Sequence, residues 1–402
     1  MTTATTYRYL APATRIYAGV DALPHVAREM ERIGAKRAFI VCSETVAETT
    51  DLLPRVRDVL GAGHVAGIFA KAKRESPVPL VEAGVNMARA AQPDVVVAVG
   101  GGSAVVTARA ITILLGEGKT IEEIYTRHEP GKAPIVARLN KPKLPNILVL
   151  TTPTTAADRG GAAVWDETPP HRKELYDPRT RPLAIILDGG ALLTAPPSLY
   201  LDTSLTTFAG LVGAVQAHQP SPLALADARM GLELCVEHLP ELMARPEDPE
   251  VRIHLATAAL LSNRASQSTY GGGGRGRSTG GLGRQLRFRY KRIGQGAAAC
   301  LTALMHLRLN REVEMEGQER LASALGVDTR DMGLEEAAAS AEGALVEFLA
   351  GLEVATRLRE LGVRREDFAL LAETEVSEPG FGEDERRITD VGELVWVLEQ
   401  AW

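Results

Sequence analysis

The residues most able to do chemistry fall in two short runs. Gly100, Gly101, Gly102 and Ser103 follow the apolar stretch DVVVAV and open the segment SAVVTARAITILL. Glycine lets a backbone come close to a phosphate, and the N–H groups and positive dipole end of a following helix stabilise the anion. A tight strand-to-helix turn also needs glycine for its φ alone, so the run by itself fits a phosphate site or a plain turn. Thr151, Thr152, Pro153, Thr154 and Thr155 follow the stretch NILVL. Their hydroxyls would gather at a strand's carboxyl end, where open α/β sheets collect ligands. Ordinary strand and capping threonines would give the same pattern, but the two runs together favour a bound nucleotide.

A third feature is electrostatic. Between Val251 and Arg311 the chain carries eleven Arg or Lys and no acid, a charge of +11, and from Glu312 onward 23 acids face eight arginines, a charge of −15. Two readings stand: the faces neutralise one another within one helical domain, or the basic segment is an anion site. Its Arg275, Arg277, Arg284, Arg287, Arg289, Tyr290, Lys291 and Arg292 include groups able to hold a carboxylate or phosphate bidentately and to exchange a proton.

These groups need a scaffold. The 402 residues suit two domains better than one, and 45% hydrophobic with 24% charged residues excludes a disordered or collagenous chain. Up to residue 190, short β-branched runs alternate with helical patterns, the sign of βα units on a parallel sheet. Strands are expected at 15–19, 37–43, 64–70, 94–100, 146–152 and 183–188. Helices are expected at Asp21 to Gly34, Glu44 to Leu60, Val78 to Ala91 and Ser103 to Leu115. Continuous apolar runs such as VVVAV and ILVL predict a sheet buried on both faces. From 191 the period is 3.6 almost throughout. The predicted fold is therefore an α/β, Rossmann-like nucleotide domain over 1–190 and an all-α domain over 191–402. The Gly- and Arg-rich stretch YGGGGRGRSTGGLGRQLRFRYKR reads as a loop.

At this point the order of segments resembles the iron-containing, group III alcohol dehydrogenases and their maleylacetate reductase and dehydroquinate synthase-like relatives. The resemblance rests on TRIYAGVDAL, VAVGGGSAVVTAR, LTTPTTAA, DPRTRPLAIILD and TAPPSLY, in the family's order and spacing. It implies a nicotinamide cofactor in a cleft between the two domains. On it, Ser43, Gly100, Gly101, Gly102, Ser103, Thr151, Thr152 and Thr155 are the cofactor-binding residues. The family often has an acid after the second strand to hold the ribose 2'-hydroxyl. Ser43 there tilts the expectation from NAD toward NADP, with Glu44 beside it as the opposing sign. Arg172 or Lys173 lies near a family lysine that approaches the cofactor.

The departures are as informative. The family's Asp and Lys in GGGSxxDxAK become Val106 and Arg109, and the end of its PTTAGTGSE loop becomes Ala157, Asp158, Arg159, Gly160 and Gly161. Its metal ligands, an Asp and three histidines, fall on Thr206, Gly210, Gly280 or Gly281, and Gln295. The eight histidines show no HxxxH or HExxH spacing. The expectation is therefore no metal, with Lys291 and Tyr290 as catalytic groups for proton transfer and Arg284, Arg287 and Arg289 holding an anionic group of the substrate.

The resulting reading is a metal-independent NAD(P)-dependent dehydrogenase of a small molecule or peptide bearing a carboxylate or phosphate. One branch the resemblance brings forward is the daptide-type peptide dehydrogenases, where oxidation of a C-terminal threonine gives a β-keto acid. The alternative is a nucleotide-binding pseudoenzyme within a pathway complex. Nucleic-acid binding through RFRYKR is disfavoured by a net charge of −6. No run approaches the ~18 apolar residues of a membrane span, and three separated cysteines suit a reducing compartment. A cytoplasmic homodimer is expected.

Overall fold

The structure is a computed structural model. It describes all residues except 1, 2, 10, 12, 129–131, 170, 268–277, 378–387 and 389, and also omits the side chains of 267 and 278–280. The chain divides into two compact units: residues 12–196 with 247–256, and residues 1–11 with 197–246 and 257–402. A cut at 190 therefore misplaces residues 191–196, which stay with the sheet unit, and two further pieces. The N-terminal residues join the helical unit because Ala4 N–H donates to Pro220 O and Tyr9 hydroxyl to Asp227. The segment 247–256 joins the sheet unit because the fully buried Arg252 guanidinium donates to the carbonyls of Leu192 and Ala195, both at 2.7 Å.

In the sheet unit the elements run β1 (Arg15–Gly19), α1 (His25–Arg32), β2 (Ala38–Cys42), α2 (Glu44–Glu48), α3 (Leu52–Leu60), β3 (Val65–Phe69), α4 (Val78–Ala91) and β4 (Val95–Gly100). They continue with α5 (Gly102–Glu117), α6 (Ile121–Ile124), β5 (Asn146–Leu150), β6 (Gly161–Trp165), β7 (Arg172–Tyr176), β8 (Ala184–Asp188) and α7 (Gly189–Leu192). Six strands form a parallel sheet in the order β1-β8-β5-β4-β2-β3. β2, β4, β5 and β8 are buried along their whole length, as their unbroken apolar runs predict. One face packs on α1 and α3 through Val26, Met30, Leu52 and Val56. Helices α4 and α5 pack on one another, α4 against β3 and α5 against β2 and β4.

Two local expectations fail for physical reasons. Glu44 to Leu60 is two helices because Thr50 turns its hydroxyl back onto Val46 O and accepts from Leu52 N–H, a local alternative to the helical ladder. The antiparallel pair β6–β7 was missed; its run RKELY carries charges at three of its five positions.

The helical unit contains α8 (Pro197–Gln216), α9 (Pro222–Ala244), most of α10 (Pro249–Gln267), α11 (Ser278–Arg289), α12 (Gln295–Leu309), α13 (Met315–Ala324), α14 (Leu334–Gly351), α15 (Phe368–Val376) and α16 (Val391–Gln400). The segment read as a Gly- and Arg-rich loop is helical from Ser278 to Arg289; Arg275 and Arg277 lie outside the described residues. Leu282 and Leu286, one turn apart, are fully buried among Leu301, Met305, Phe368 and Leu371. That burial outweighs the ~1 kcal/mol per residue by which glycine disfavours a helix.

The charge blocks meet within this unit. Arg289 donates to Asp367 at 2.8 Å, Arg284 lies 4.0 Å from Glu375, and Arg308 and Arg311 share Glu342 at 2.7 and 2.5 Å. Hydrogen bonds from Tyr290, and then from Arg289, hold the buried Asp367 carboxyl down to about 2. A depressed carboxyl stabilises the fold above its ordinary value and ceases to as pH falls through the lowered one. Asp367→Asn should therefore lower stability at pH 7 by about 1–3 kcal/mol, and its gap to wild type should close between pH 4 and pH 2 in denaturant titrations. In the sheet unit, a side chain at Gly84 of α4 would overlap the buried Ile111 of α5. Gly84→Ala should cost about 1–3 kcal/mol, read as a drop of a few degrees in thermal midpoint.

Candidate nucleotide site

Parallel pairing aligns the strand ends. Leu150 stands beside Gly100 and Val99 beside Cys42, so the loops after β5, β4 and β2 leave one edge in that order. The chain leaves β2 outward to β3 but leaves β4 in the opposite direction to β5. Such a reversal opens a crevice at the carboxyl ends of the two strands, the position where open α/β sheets bind ligands. Ser43 and the Gly100–Ser103 turn both lie at it.

The turn is built on the threonines. Gly100 has φ 145°, which a residue with a Cβ rarely adopts, and Thr151 N–H donates to its carbonyl at 3.2 Å. A methyl group at Gly101 would stand 2.7 Å from Thr152 Oγ1, and one at Gly102 would stand 3.0 Å from Thr154 Oγ1. The two predicted runs are thus brought into direct contact, and the glycines are needed because hydroxyls occupy the space of their side chains. Helix α5 runs for 16 residues and has no side-chain cap at Gly101; its first bond is from Val105 N–H to Gly101 O at 3.2 Å. The first-turn N–H groups of Gly102, Ser103 and Ala104 therefore present the positive dipole end toward the crevice. Thr151 and Thr152 are buried, whereas Ser103 and Thr155 are half-buried. Ser43 caps α2, accepting from Val46 N–H at 3.2 Å.

Arg109, one side chain the sequence reading did not place, holds the next loop. It is buried, and it donates to the carbonyls of Gly161, Ala156 and Ala157 at 2.7, 2.8 and 3.0 Å. Burial, reinforced by Arg159 and Arg181 and opposed by Asp158, lowers it to about 9, leaving it cationic at neutral pH. Lys173 lies under Tyr125 and is bonded to Asp166 at 2.7 Å and to Glu122, so it serves as a structural cation of the β6–β7 pair.

In the helical unit, the positions on which the sequence resemblance sets the family's metal ligands carry these surroundings. Thr206 spends its hydroxyl on Asp202 O of its own helix at 3.1 Å. Gly210 has no donor atom. A side chain at Gly281 would overlap the buried Glu375 carboxylate, and the side chain of Gly280 is not described. Gln295 begins α12, whose first turn is capped by Asp202 through Gln295 N–H at 3.1 Å and Gly296 N–H at 2.8 Å. Among the described residues no group of three His, Cys, Asp or Glu is placed to hold a metal ion.

The proposed catalytic pair lies just after α11. The Tyr290 hydroxyl donates to Asp367 and accepts from Arg364 N–H at 3.0 Å. Lys291 is exposed, its Nζ 5.4 Å from the centre of the Phe288 ring. Arg284 and Arg287 are half-buried on α11, and the exposed Arg289 is engaged by Asp367. No described helix is long and apolar enough to cross a membrane.

Comparison with known proteins places this geometry. Residues 13–189 match the iron-containing alcohol dehydrogenase family and residues 214–401 match the C-terminal region of the Fe-containing alcohol dehydrogenase family. Similar curated proteins include the NAD-dependent methanol dehydrogenase of Bacillus methanolicus, 25% identical over 395 residues, spanning 98% of this chain and 99% of that one. Another is the choline dehydrogenase of Bacillus subtilis (strain 168), 27% identical over 375 residues, 91% and 88% of the two chains. Among solved structures, a 1,3-propanediol oxidoreductase superposes with a TM-score of 0.86 at 22% identity, covering 99% of this chain and 100% of that one. Sulfoacetaldehyde reductase from Bifidobacterium kashiwanohense, in complex with NAD+, gives 0.82 at 19%, covering 99% of each. With both regions matched, the chain belongs to the iron-containing alcohol dehydrogenase family.

Proposed function

We propose that the protein is a nicotinamide-nucleotide-dependent oxidoreductase interconverting an alcohol and a carbonyl, with NADP(H) preferred and without a catalytic metal. The observation that carries the reading is the uncapped start of α5 at Gly100–Ser103, seated on Thr152 and Thr154 at the crevice between β2 and β4. The N–H groups of the turn hold the pyrophosphate, and the hydroxyls of Ser103, Thr151, Thr152 and Thr155 orient the nucleotide. Ser43, small and neutral, leaves room for a 2'-phosphate. When bound, the nicotinamide accepts or returns the hydride.

The donor set supports the metal-free part of the reading: Thr206, Gly210, Gly281 and Gln295 offer nothing that binds iron or zinc in the family's manner. Charge developing on the substrate oxygen is then met by a fixed cation and a proton-exchanging group. Lys291 suits this better than Tyr290, whose hydroxyl is already committed to Asp367; Lys291 makes no ion pair with a described residue. Arg284 and Arg287 are the partners for an anionic group of the substrate. A peptide C-terminal threonine carries its alcohol beside a carboxylate and is the finer substrate proposed, and the working unit is a homodimer.

Elemental analysis of chelator-free protein, with NADPH turnover on C-terminal threonine peptides, hydroxy acids and simple alcohols, tests this. The expected result is turnover without stoichiometric metal, and Lys291→Met lowering kcat at least a hundredfold with nucleotide affinity unchanged. Activity that requires stoichiometric iron or zinc overturns the metal-free reading. Nucleotide binding without turnover on any of the substrates would establish the non-catalytic alternative.

A further inference from the structure

The crevice has one more wall, which no role above uses. β3 is the edge strand beside β2, and Val41 pairs with Phe69 at their ends. The chain leaves β3 as Ala70-Lys71-Ala72-Lys73-Arg74-Glu75-Ser76. Its course is fixed at two points. Ala72 N–H donates to Cys42 O at 3.0 Å, which holds Lys71 and Lys73 beside the end of β2 where Ser43 follows. Ser76, buried, accepts from Thr107 Oγ1 at 2.9 Å and lies 3.5 Å from Ser103 O, which fixes the far end of the loop against the first turns of α5. Between these points Ser76 N–H bonds Lys73 O, and Glu75 and Ser76 both take left-handed φ, of 65° and 49°. A basic loop therefore arcs from Ser43 to the phosphate turn.

Its charges are available. Ala72 is buried while Lys71 and Lys73 on either side of it are exposed, and neither lysine side chain makes a hydrogen bond or ion pair with a described residue. Arg74 lies 3.6 Å from Glu75, so that pair cancels, leaving Glu44 as the acid beside Ser43. Read across the edge, the order is Thr151–Thr155, Gly100–Ser103, Ser43, then Lys71 and Lys73. Three strand spacings of about 4.8 Å spread it over about 14 Å. A dinucleotide laid along that edge with its pyrophosphate on α5 brings its adenosine ribose to Ser43 and any group on the ribose 2'-oxygen toward β3.

We infer that Lys71 and Lys73 bind the 2'-phosphate of NADP(H) and set the preference for it over NAD(H). The inference rests on the nucleotide reading above and adds the residues that select between the two cofactors. A doubly charged phosphate between two solvated ammonium groups gains most of its binding from Coulomb attraction, which salt screens, so the selectivity should itself depend on salt.

The test is fluorescence titration of the full chain with NADPH and NADH at 20 and 300 mM salt, comparing wild type with Lys71→Ala/Lys73→Ala. Both side chains are exposed, and an unchanged thermal midpoint confirms the fold. The expected result is tighter binding of NADPH than NADH by wild type. The double variant should lose tenfold or more in NADPH affinity at low salt, keep its NADH affinity within twofold, and lose most of the salt dependence peculiar to NADPH. Equal losses for both nucleotides would assign the lysines to the common pyrophosphate and overturn the inference, as would no loss at all. A wild type that prefers NADH overturns it while leaving the nucleotide site standing, whereas one that binds neither overturns both.

Discussion

The contact between the Gly101–Gly102 backbone and the Thr152 and Thr154 hydroxyls is the constraint on which the rest of the site depends. At 2.7 and 3.0 Å from the missing side chains, it fixes how closely the loops after β4 and β5 approach, and it ties the start of α5 to a strand end. A buried, continuously apolar parallel sheet is what makes so close a fit reproducible. Its central strands are held in register on both sides, so their carboxyl ends have little freedom to shift against one another. The cost of glycine's backbone entropy at this turn is offset by the anion-ready N–H groups that it exposes.

Arg109 and the loop after β5 act as one structural unit. The sequence resemblance sets Arg109 against a family lysine and Ala157 to Gly161 against a different loop end. In the structure the Arg109 guanidinium holds the carbonyls of Ala156, Ala157 and Gly161. A lysine ammonium is a compact point charge, whereas the planar fork of arginine reaches separated carbonyls from one buried position. The guanidinium and the loop backbone are therefore physically coupled, and truncating Arg109 would leave three carbonyls without this donor.

Much of this was legible in the sequence because it is written in local patterns. Short β-branched, continuously apolar runs placed the six parallel strands to within two residues at their ends, and the GGGS and threonine runs identified the edge they share. What was not legible depends on residues far apart in the chain. Helix α11 is hidden in a glycine-rich composition because Leu282 and Leu286 acquire their partners only from α12 and α15. The β6–β7 pair joins two five-residue strands whose pairing no local pattern marks. The division into units departs from a single cut because Arg252 reaches back some sixty residues to close α7.

The charge blocks of the second half show why composition alone leaves two readings open. A stretch of +11 beside one of −15 fits an anion site and a self-neutralising domain equally well. The structure brings Arg289, Arg308 and Arg311 onto acids of the later block, so much of the excess is internal. What distinguishes a functional cation from a structural one is then whether its charge has been answered. By that criterion Lys173, bonded to two carboxylates, belongs to the scaffold, whereas Lys71 and Lys73, held beside the end of β2 with no described acid on them, remain available to an anion.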